Sequence, residues 1–301
     1  MIPEFPKFKK LELSDKADVE AFTHKYPPYS DFNFTSMWSW NIKDEMSISQ
    51  MNNNFVVRFT DYVTGKPFLS FLGTNKVNET AQALLEFSKS EGLEEQMKLI
   101  PEDVIKHLNK EQFKIQEDRD NHDYIFSVEK LKPRASAGRK LSTRRKIVNR
   151  LRQLSHYSVT PIDLNDKTVK EKIEKVSLVW EEQRGIAEKD ARHLSRAMNR
   201  ILTMEHSKNT LSLGVFIREQ FVGYSINEIV NDEYAMGDFQ QADLKSSLGI
   251  YAFLMEETGL YLDKIGCKYI NLEQDLGIPG LRKWKMSYHH DFFLKKYIVS
   301  L

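Results

Sequence analysis

Apolar residues along this chain keep two periods, and the switches between them mark out the elements. Val19, Phe22 and Tyr26 recur at helical spacing behind the capping pair Ser14-Asp15, so a helix is predicted over 14–25, stopped by Pro27-Pro28. Asp31 is expected to open a second helix that carries Phe34, Met37, Trp38 and Ile42. Segments 46–50, 53–60 and 67–72 alternate as strands do, with Asn52-Asn53 and Gly65 as turn formers between them. An amphipathic helix follows over 77–91, ending near Gly92, and Pro101 is expected in the first turn of a short helix. Residues 113–116 and 124–128 read as a strand pair around a polar tip.

The later part of the chain has a clearer rhythm. A strand at 157–162 precedes a helix over 166–183, with Ile173, Val176, Val179 and Trp180, and a second helix from about 189 to 205. Three strands at 210–217, 221–229 and 233–240 are separated by short polar turns, which is the pattern of an antiparallel meander. A helix over 248–265 follows, capped by Ser246 or Ser247, then a strand at 268–272, a helix from Pro279 to Met286 and a closing strand at 288–297. Strand, two helices, three strands, helix, strand, helix, strand is the acetyltransferase-type order, and the first half has a looser version of it. The expected fold class is therefore α/β (α+β): two tandem acetyltransferase-like domains with mixed, largely antiparallel sheets. They are placed at 1–136 and 156–301, joined by a basic helix over 137–155 in which Leu141, Ile147, Val148, Leu151 and Leu154 form one apolar stripe.

At 301 residues, with 41% hydrophobic and 29% charged positions, the chain can bury a core without staples. Its one cysteine, Cys267, allows no internal disulfide and lies in an apolar-flanked run, so it reads as core packing in a reducing compartment. No apolar run reaches membrane length, and Met1–Pro6 lacks a basic-then-apolar leader, so a soluble cytoplasmic chain is expected. The net charge is only +1, but its distribution is uneven: no Asp or Glu occurs from Lys130 to Ile162. Arg139, Lys140, Arg144, Arg145, Lys146, Arg150 and Arg152 all fall in that window. A local cationic block suits phosphate-bearing ligands, and a solvated helix face is the structural alternative.

Three stretches resemble a known family. They are Tyr26-Pro-Pro-Tyr29-Ser-Asp31-Phe-Asn-Phe34 with Met37-Trp38-Ser-Trp40, then Lys140-Leu-Ser-Thr-Arg144-Arg145-Lys146-Ile-Val-Asn149-Arg150-Leu, and Asn271-Leu-Glu273-Gln274-Asp275-Leu-Gly277-Ile-Pro-Gly280-Leu-Arg282-Lys-Trp-Lys285-Met-Ser-Tyr288. Together they resemble the C-terminal catalytic domain of bacterial phosphatidylglycerol lysyltransferase, whose relatives include the Fem-type peptidoglycan aminoacyltransferases. The resemblance implies transfer of an activated acyl or aminoacyl group, from acyl-coenzyme A or from aminoacyl-tRNA, without implying the lipid acceptor.

Within that frame several residues are candidates. Acetyl-coenzyme A users of the superfamily place a Gly-rich turn before a helix, where free backbone N–H groups face a pyrophosphate. The corresponding stretch keeps only Gly249 of those glycines, so Lys245, Ser246, Ser247, Leu248 and Gly249 are the expected phosphate contacts, with a plain capped helix as the alternative. Arg144 and Arg145 would add guanidinium forks to the same coenzyme A, tRNA end or lipid head group. Glu273 and Asp275 follow a strand end, where a carboxylate could deprotonate an attacking amine; the structural alternative is a pair of caps, with Asp275 accepting N–H bonds at the next helix. The superfamily's usual tyrosine acid is replaced by Lys283, which leaves Tyr288 as the nearby phenol or as core packing. The eight histidines show no metal spacing, and no metal is expected. The two readings that emerge are an acyl- or aminoacyltransferase and a non-catalytic binding protein that retains the fold.

Overall fold

The computed structural model describes residues 1–61, 64–132, 139–153, 156–185, 187–246 and 249–301; for 139–145 and 188–191 it describes the backbone only. The strands in chain order are β1 (Lys9–Lys10), β2 (Ser47–Met51), β3 (Asn54–Thr60), β4 (Pro67–Leu72), β5 (Met97–Pro101), β6 (Lys114–Glu117), β7 (Asp123–Ser127), β8 (Tyr157–Pro161), β9 (Thr210–Ile217), β10 (Gln220–Ile229), β11 (Tyr234–Ala242), β12 (Tyr269–Asn271), β13 (Phe292–Leu294) and β14 (Lys296–Ser300). The α-helices are α1 (Lys16–Thr23), α2 (Phe34–Trp40), α3 (Val77–Ser90), α4 (Glu102–Ile105), α5 (Val128–Leu131), α6 (Arg139–Gln153), α7 (Lys167–Arg184), α8 (Glu188–Thr203), α9 (Ile250–Lys264) and α10 (Pro279–Met286).

The chain divides into two compact units that do not follow one another in sequence. The first comprises Met1–Tyr124, Glu273–Ser287 and Phe292–Leu301; the second comprises Ile125–Leu272 and Tyr288–Asp291. The reason lies in β14, which enters the first unit as the middle strand of the sheet β5-β14-β6. The closing strand expected at 288–297 is thus two short strands, β13 and β14, and residues 288–291 stay with the second unit. The expected pairing of the strands near 113–116 and 124–128 does not occur. β6 pairs with β14, and the Ile125–Ser127 part of β7 pairs with β12. Such non-local partners leave no short-range signature, which is also why β5 escaped the sequence pattern.

In the first unit β1-β2-β3-β4 run antiparallel. β3 is buried on both faces. Val56, Leu69 and Phe71 meet Val77, Ala81, Leu84 and Leu85 of α3 on one side. On the other, Phe55 and Phe59 close around Phe32, with ring centroids 6.4 and 6.0 Å apart. Asp31 does not open α2; Asn33 caps it by accepting the Ser36 N–H at 2.9 Å, and Asp31 is spared for other use. In the second unit the meander is as the spacing implied, with sheet order β7-β12-β11-β10-β9-β8. β11 and β12 run parallel only from Tyr234/Tyr269 to Met236/Asn271. Val148 and Leu151 of α6 join Val215, Val222, Ala242, Ile250, Phe253 and Leu254 in its core. Cys267 is buried, as expected. Among the described residues no helix is long and apolar enough to cross a membrane.

Leu84 sits fully buried in the α3 core. Leu84→Ala should lower the unfolding free energy by about 2–5 kcal/mol in a urea titration, without changing the m-value.

Candidate active site

The first and third sequence motifs meet inside the first unit. Phe32, wedged between Phe55 and Phe59, fixes the turn that presents Ser30 and Asp31. Asp123, at the start of β7, accepts the Ser30 N–H on Oδ2 and the Ser30 hydroxyl on Oδ1, both at 2.7 Å. The Nζ of Lys296, at the start of β14, lies 2.7 Å from Asp123 Oδ1 and in direct contact with Asp31. Lys296 and Asp123 have no exposed side-chain surface. Burial opposes the charge on Lys296, but Asp123 and Asp31 outweigh it and keep its pKa above the ordinary value. Burial pushes the Asp31 carboxyl up, against the pull of Lys296.

Beside this pair stands Glu273. Its backbone is left-handed, φ 58°, an unusual conformation for a side chain without a special reason to adopt it. Ser36 Oγ donates to Glu273 Oε1 at 3.0 Å, and Lys285 of α10, itself buried, donates to the Gln274 carbonyl. Burial pushes the Glu273 carboxyl up to about 7; Lys285 opposes the shift, and Asp123 and Asp31 reinforce it. Burial likewise pulls Lys285 below the usual lysine range. The charge count agrees with the direction: Asp31, Asp123 and Glu273 stand with two lysines, so one carboxylate is in excess, and Asp31 and Glu273 are both pushed up. Glu273 as a residue is half-buried, with its carboxyl on the buried side.

Asp275 has the opposite character. It accepts from Arg282 Nε at 2.9 Å and Nη2 at 2.7 Å, from the Tyr124 hydroxyl at 2.5 Å and from the Gly277 N–H at 2.9 Å, with Arg119 at 3.2 Å. Burial works against its charge, but the bonds from Arg282, Tyr124 and Gly277 hold its pKa at about 2. A carboxylate so satisfied is a weak base. Asp275 thus braces the loop, while the Glu273 carboxyl two residues earlier is shifted the opposite way. Gly277 is needed in that brace: its φ is 70°, and a Cβ there would lie 2.6 Å from Asp120 Oδ2.

The remaining expected residues lie in the second unit. Tyr288 is buried there, its ring edge-on to Phe126 at 6.4 Å. In the turn before α9 the Asp243 carboxylate accepts the Lys245 N–H at 3.0 Å, the Ser246 hydroxyl and the Gln183 amide at 2.6 Å, while the Leu244 N–H goes to Gln183 at 2.6 Å. Burial opposes ionisation of Asp243, but these donors hold its pKa below the ordinary range. Gly249 is left-handed, φ 85°, and a Cβ on it would come within 2.1 Å of Ile147 of α6. Ser247 and Leu248 lie outside the described residues, and for Arg144 and Arg145 only the helical backbone is described. Asp123 and Lys296 have no role in the sequence reading, Ser30 and Lys285 enter it only as members of motifs, and Asp31 enters it as a motif member and a helix start.

The profile described as "Phosphatidylglycerol lysyltransferase, C-terminal" matches residues 23–300. The chain belongs to that family. No curated protein sequence matches it. Among solved structures, a conserved protein of unknown function from Bacteroides thetaiotaomicron is similar at TM-score 0.80 and 23% identity, covering 100% of both chains. The C-terminal domain of a putative lysylphosphatidylglycerol synthetase from Agrobacterium fabrum is similar at 0.68 and 12%, over 96% of this chain and 92% of that one. L-PGS from Bacillus licheniformis gives 0.63 and 13%, over 100% and 93%. The mixed, antiparallel-rich fold class expected from sequence is the fold this chain shares with these two structures.

Asp275 gives a pH test. Its folded value of about 2 lies below the ordinary 3.8, so its contribution to stability is full above about pH 4 and vanishes as pH falls through about 2. Asp275→Asn should flatten that limb of the stability–pH curve and cost about 3 kcal/mol at pH 7, because it leaves Arg119 and Arg282 facing a neutral amide.

Proposed function

We propose that this chain is an aminoacyl- or acyltransferase whose general base is Glu273, acting on an activated ester carried by a phosphate-bearing donor. The observation that carries the reading is Glu273, on a left-handed turn beside Lys285, whose buried carboxyl is pushed up to about 7. Membership of a lysyltransferase family supports it. In the proposed step an acceptor O–H or N–H attacks the carbonyl carbon of the donor ester. Glu273 takes the acceptor's proton as the new acyl bond forms, then returns it to the donor oxygen as the old carbon–oxygen bond breaks. Lys285 is a positioning residue: its ammonium keeps enough of Glu273 ionised to accept that proton.

Two donors were open from sequence, and one observation favours an aminoacyl ester of RNA over acyl-coenzyme A. A coenzyme pyrophosphate needs free N–H groups at the turn before α9. The described donors there are turned onto Asp243, an ionised carboxylate that would repel a phosphate.

The test is transfer from a radiolabelled aminoacyl-tRNA pool and, separately, from acetyl-coenzyme A, to amine and hydroxyl acceptors including phosphatidylglycerol vesicles. The rate should rise with pH through about 7 as Glu273 ionises. Glu273→Gln should lower kcat by roughly 10²–10⁴-fold with KM little changed. Lys285→Met should move the rising limb to higher pH, since the charge that favours ionised Glu273 is gone. A Glu273→Gln protein that keeps wild-type kcat ends the proposal.

A further inference from the structure

Around Ser30 the hydrogen-bond donors and acceptors do not match while every carboxyl is ionised. Ser30 Oγ lies 2.7 Å from Asp123 Oδ1, 2.9 Å from Gln274 Oε1 and 3.1 Å from Lys296 Nζ. Lys296 faces three groups, Ser30, Asp123 and Asp31, one for each of its hydrogens. The Ser30 hydroxyl has a single hydrogen and the ammonium cannot accept it, so it goes to Asp123 or to Gln274 and not to both. Asp123 is the nearer. Its carboxyl also takes the Ser30 N–H and the Lys296 ammonium, each at 2.7 Å, contacts that suit a carboxylate. Gln274 Oε1 is then left against a lone pair of Ser30. Turning the amide over cures that contact, because Nε2 now donates to Ser30. It also brings Oε1 toward Asp31 Oδ1, where Nε2 stood at 3.3 Å. In either orientation two acceptors meet, in a place where Lys296 and Asp123 have no exposed side-chain surface and Asp31 has little.

One added hydrogen closes the network. Placed on Asp31 Oδ1, it is donated to Gln274 Oε1; Gln274 Nε2 donates to Ser30 Oγ, and Ser30 donates to Asp123. We propose that Asp31 is a neutral carboxylic acid in the folded protein, that Gln274 holds it so, and that Gln274 is thereby a positioning residue for Glu273. Asp31 Oδ1 suits the hydrogen because it is turned to Gln274 while Oδ2 meets the ammonium. A hydrogen on Asp123 Oδ1 would sit on the oxygen that Lys296 already faces. Burial, which pushes the Asp31 carboxyl up, acts in the same direction. The charged groups around Asp31 are Lys296 of β14 and Asp123 of β7, and beyond Gln274 stand Glu273 and Lys285 of α10. With Asp31 neutral, Asp123 answers Lys296 and Glu273 answers Lys285, charge for charge. An ionised Asp31 would hinder ionisation of Glu273; a neutral one does not, so the base keeps more of its charged form at a given pH. The consequence for rate rests on the reading of Glu273 as general base, whereas the place of the proton does not.

The experiment follows the side-chain carboxyl carbons of the full chain by NMR, with isotope label in the aspartates only, so that Glu273 contributes no signal. At pH 7 one aspartate carbon of the wild-type protein should hold the chemical shift of a protonated acid, and Asp31→Asn should remove it. Gln274→Met should remove it too, since the Asp31 O–H loses its acceptor; thermal melting of both variants shows that the fold is kept. In a transfer assay the rising limb of rate against pH should keep its midpoint in Asp31→Asn, whose amide is as uncharged as the acid it replaces. In Gln274→Met the limb should move to higher pH, because Asp31 is then an anion near Glu273. A wild-type spectrum with no protonated aspartate at pH 7 overturns the proposal. So does a protonated signal that survives Asp31→Asn and vanishes in Asp123→Asn, or a limb that moves to lower pH in Asp31→Asn, the mark of an anion removed. A signal that persists in Gln274→Met overturns the role given to Gln274. A protonated Asp31 in a protein that transfers from no donor would instead end the transferase reading and leave the proton on Asp31.

Discussion

A lysine with no exposed surface stays charged inside a protein only where carboxylates face it, because desolvation costs an isolated ammonium several kcal/mol. Lys296 is such a residue, and the site in the first unit is organised around it. Asp31 and Asp123 both contact the single cation. With two acids spent on one base, a third carboxylate nearby finds the local potential already negative. Glu273 is that third group: burial is the main cause of its reluctance to ionise, and Asp123 and Asp31 reinforce it against the pull of Lys285.

The loop that holds Glu273 is stiff for a separate reason. Asp275, two residues on, is gripped by Arg119, Arg282, Tyr124 and the Gly277 N–H. The left-handed conformations at Glu273, Leu276 and Gly277 turn the chain sharply after β12, and the Asp275 contacts over-determine that turn. A base on a braced loop keeps its orientation without needing a bound ligand to order it.

Much of the architecture was legible in the sequence, because the second unit's meander and long helices obey local periodicity. The residues of the site were legible only in part. Glu273 and Asp275 stood out as acids after a strand end, but their division of labour depended on Arg119 and Tyr124, more than 150 positions earlier in the chain. Asp31 read as a helix start because an acid before an apolar run usually is one, and Asn33 took that place two residues later. Lys296 carried no pattern at all, since one charge in an apolar strand looks the same whether it is solvated or buried. The turn before α9 kept the outline of a phosphate loop, and among its described donors the Lys245 N–H and the Ser246 hydroxyl reach Asp243.

The sheet β5-β14-β6 has its central strand from the far end of the chain. During synthesis, β5 and β6 therefore leave the ribosome with their hydrogen-bonding edges facing an empty slot, and Asp31 and Asp123 wait without their cation until residues 296–300 have been made. A nascent chain of this protein has to carry an incomplete first unit through the whole translation of the second, an interval in which open strand edges are exposed to other chains. Assembly of the acidic site is then among the last events of folding, and a polypeptide cut short before β14 would have neither the sheet nor the charge balance on which Glu273 depends.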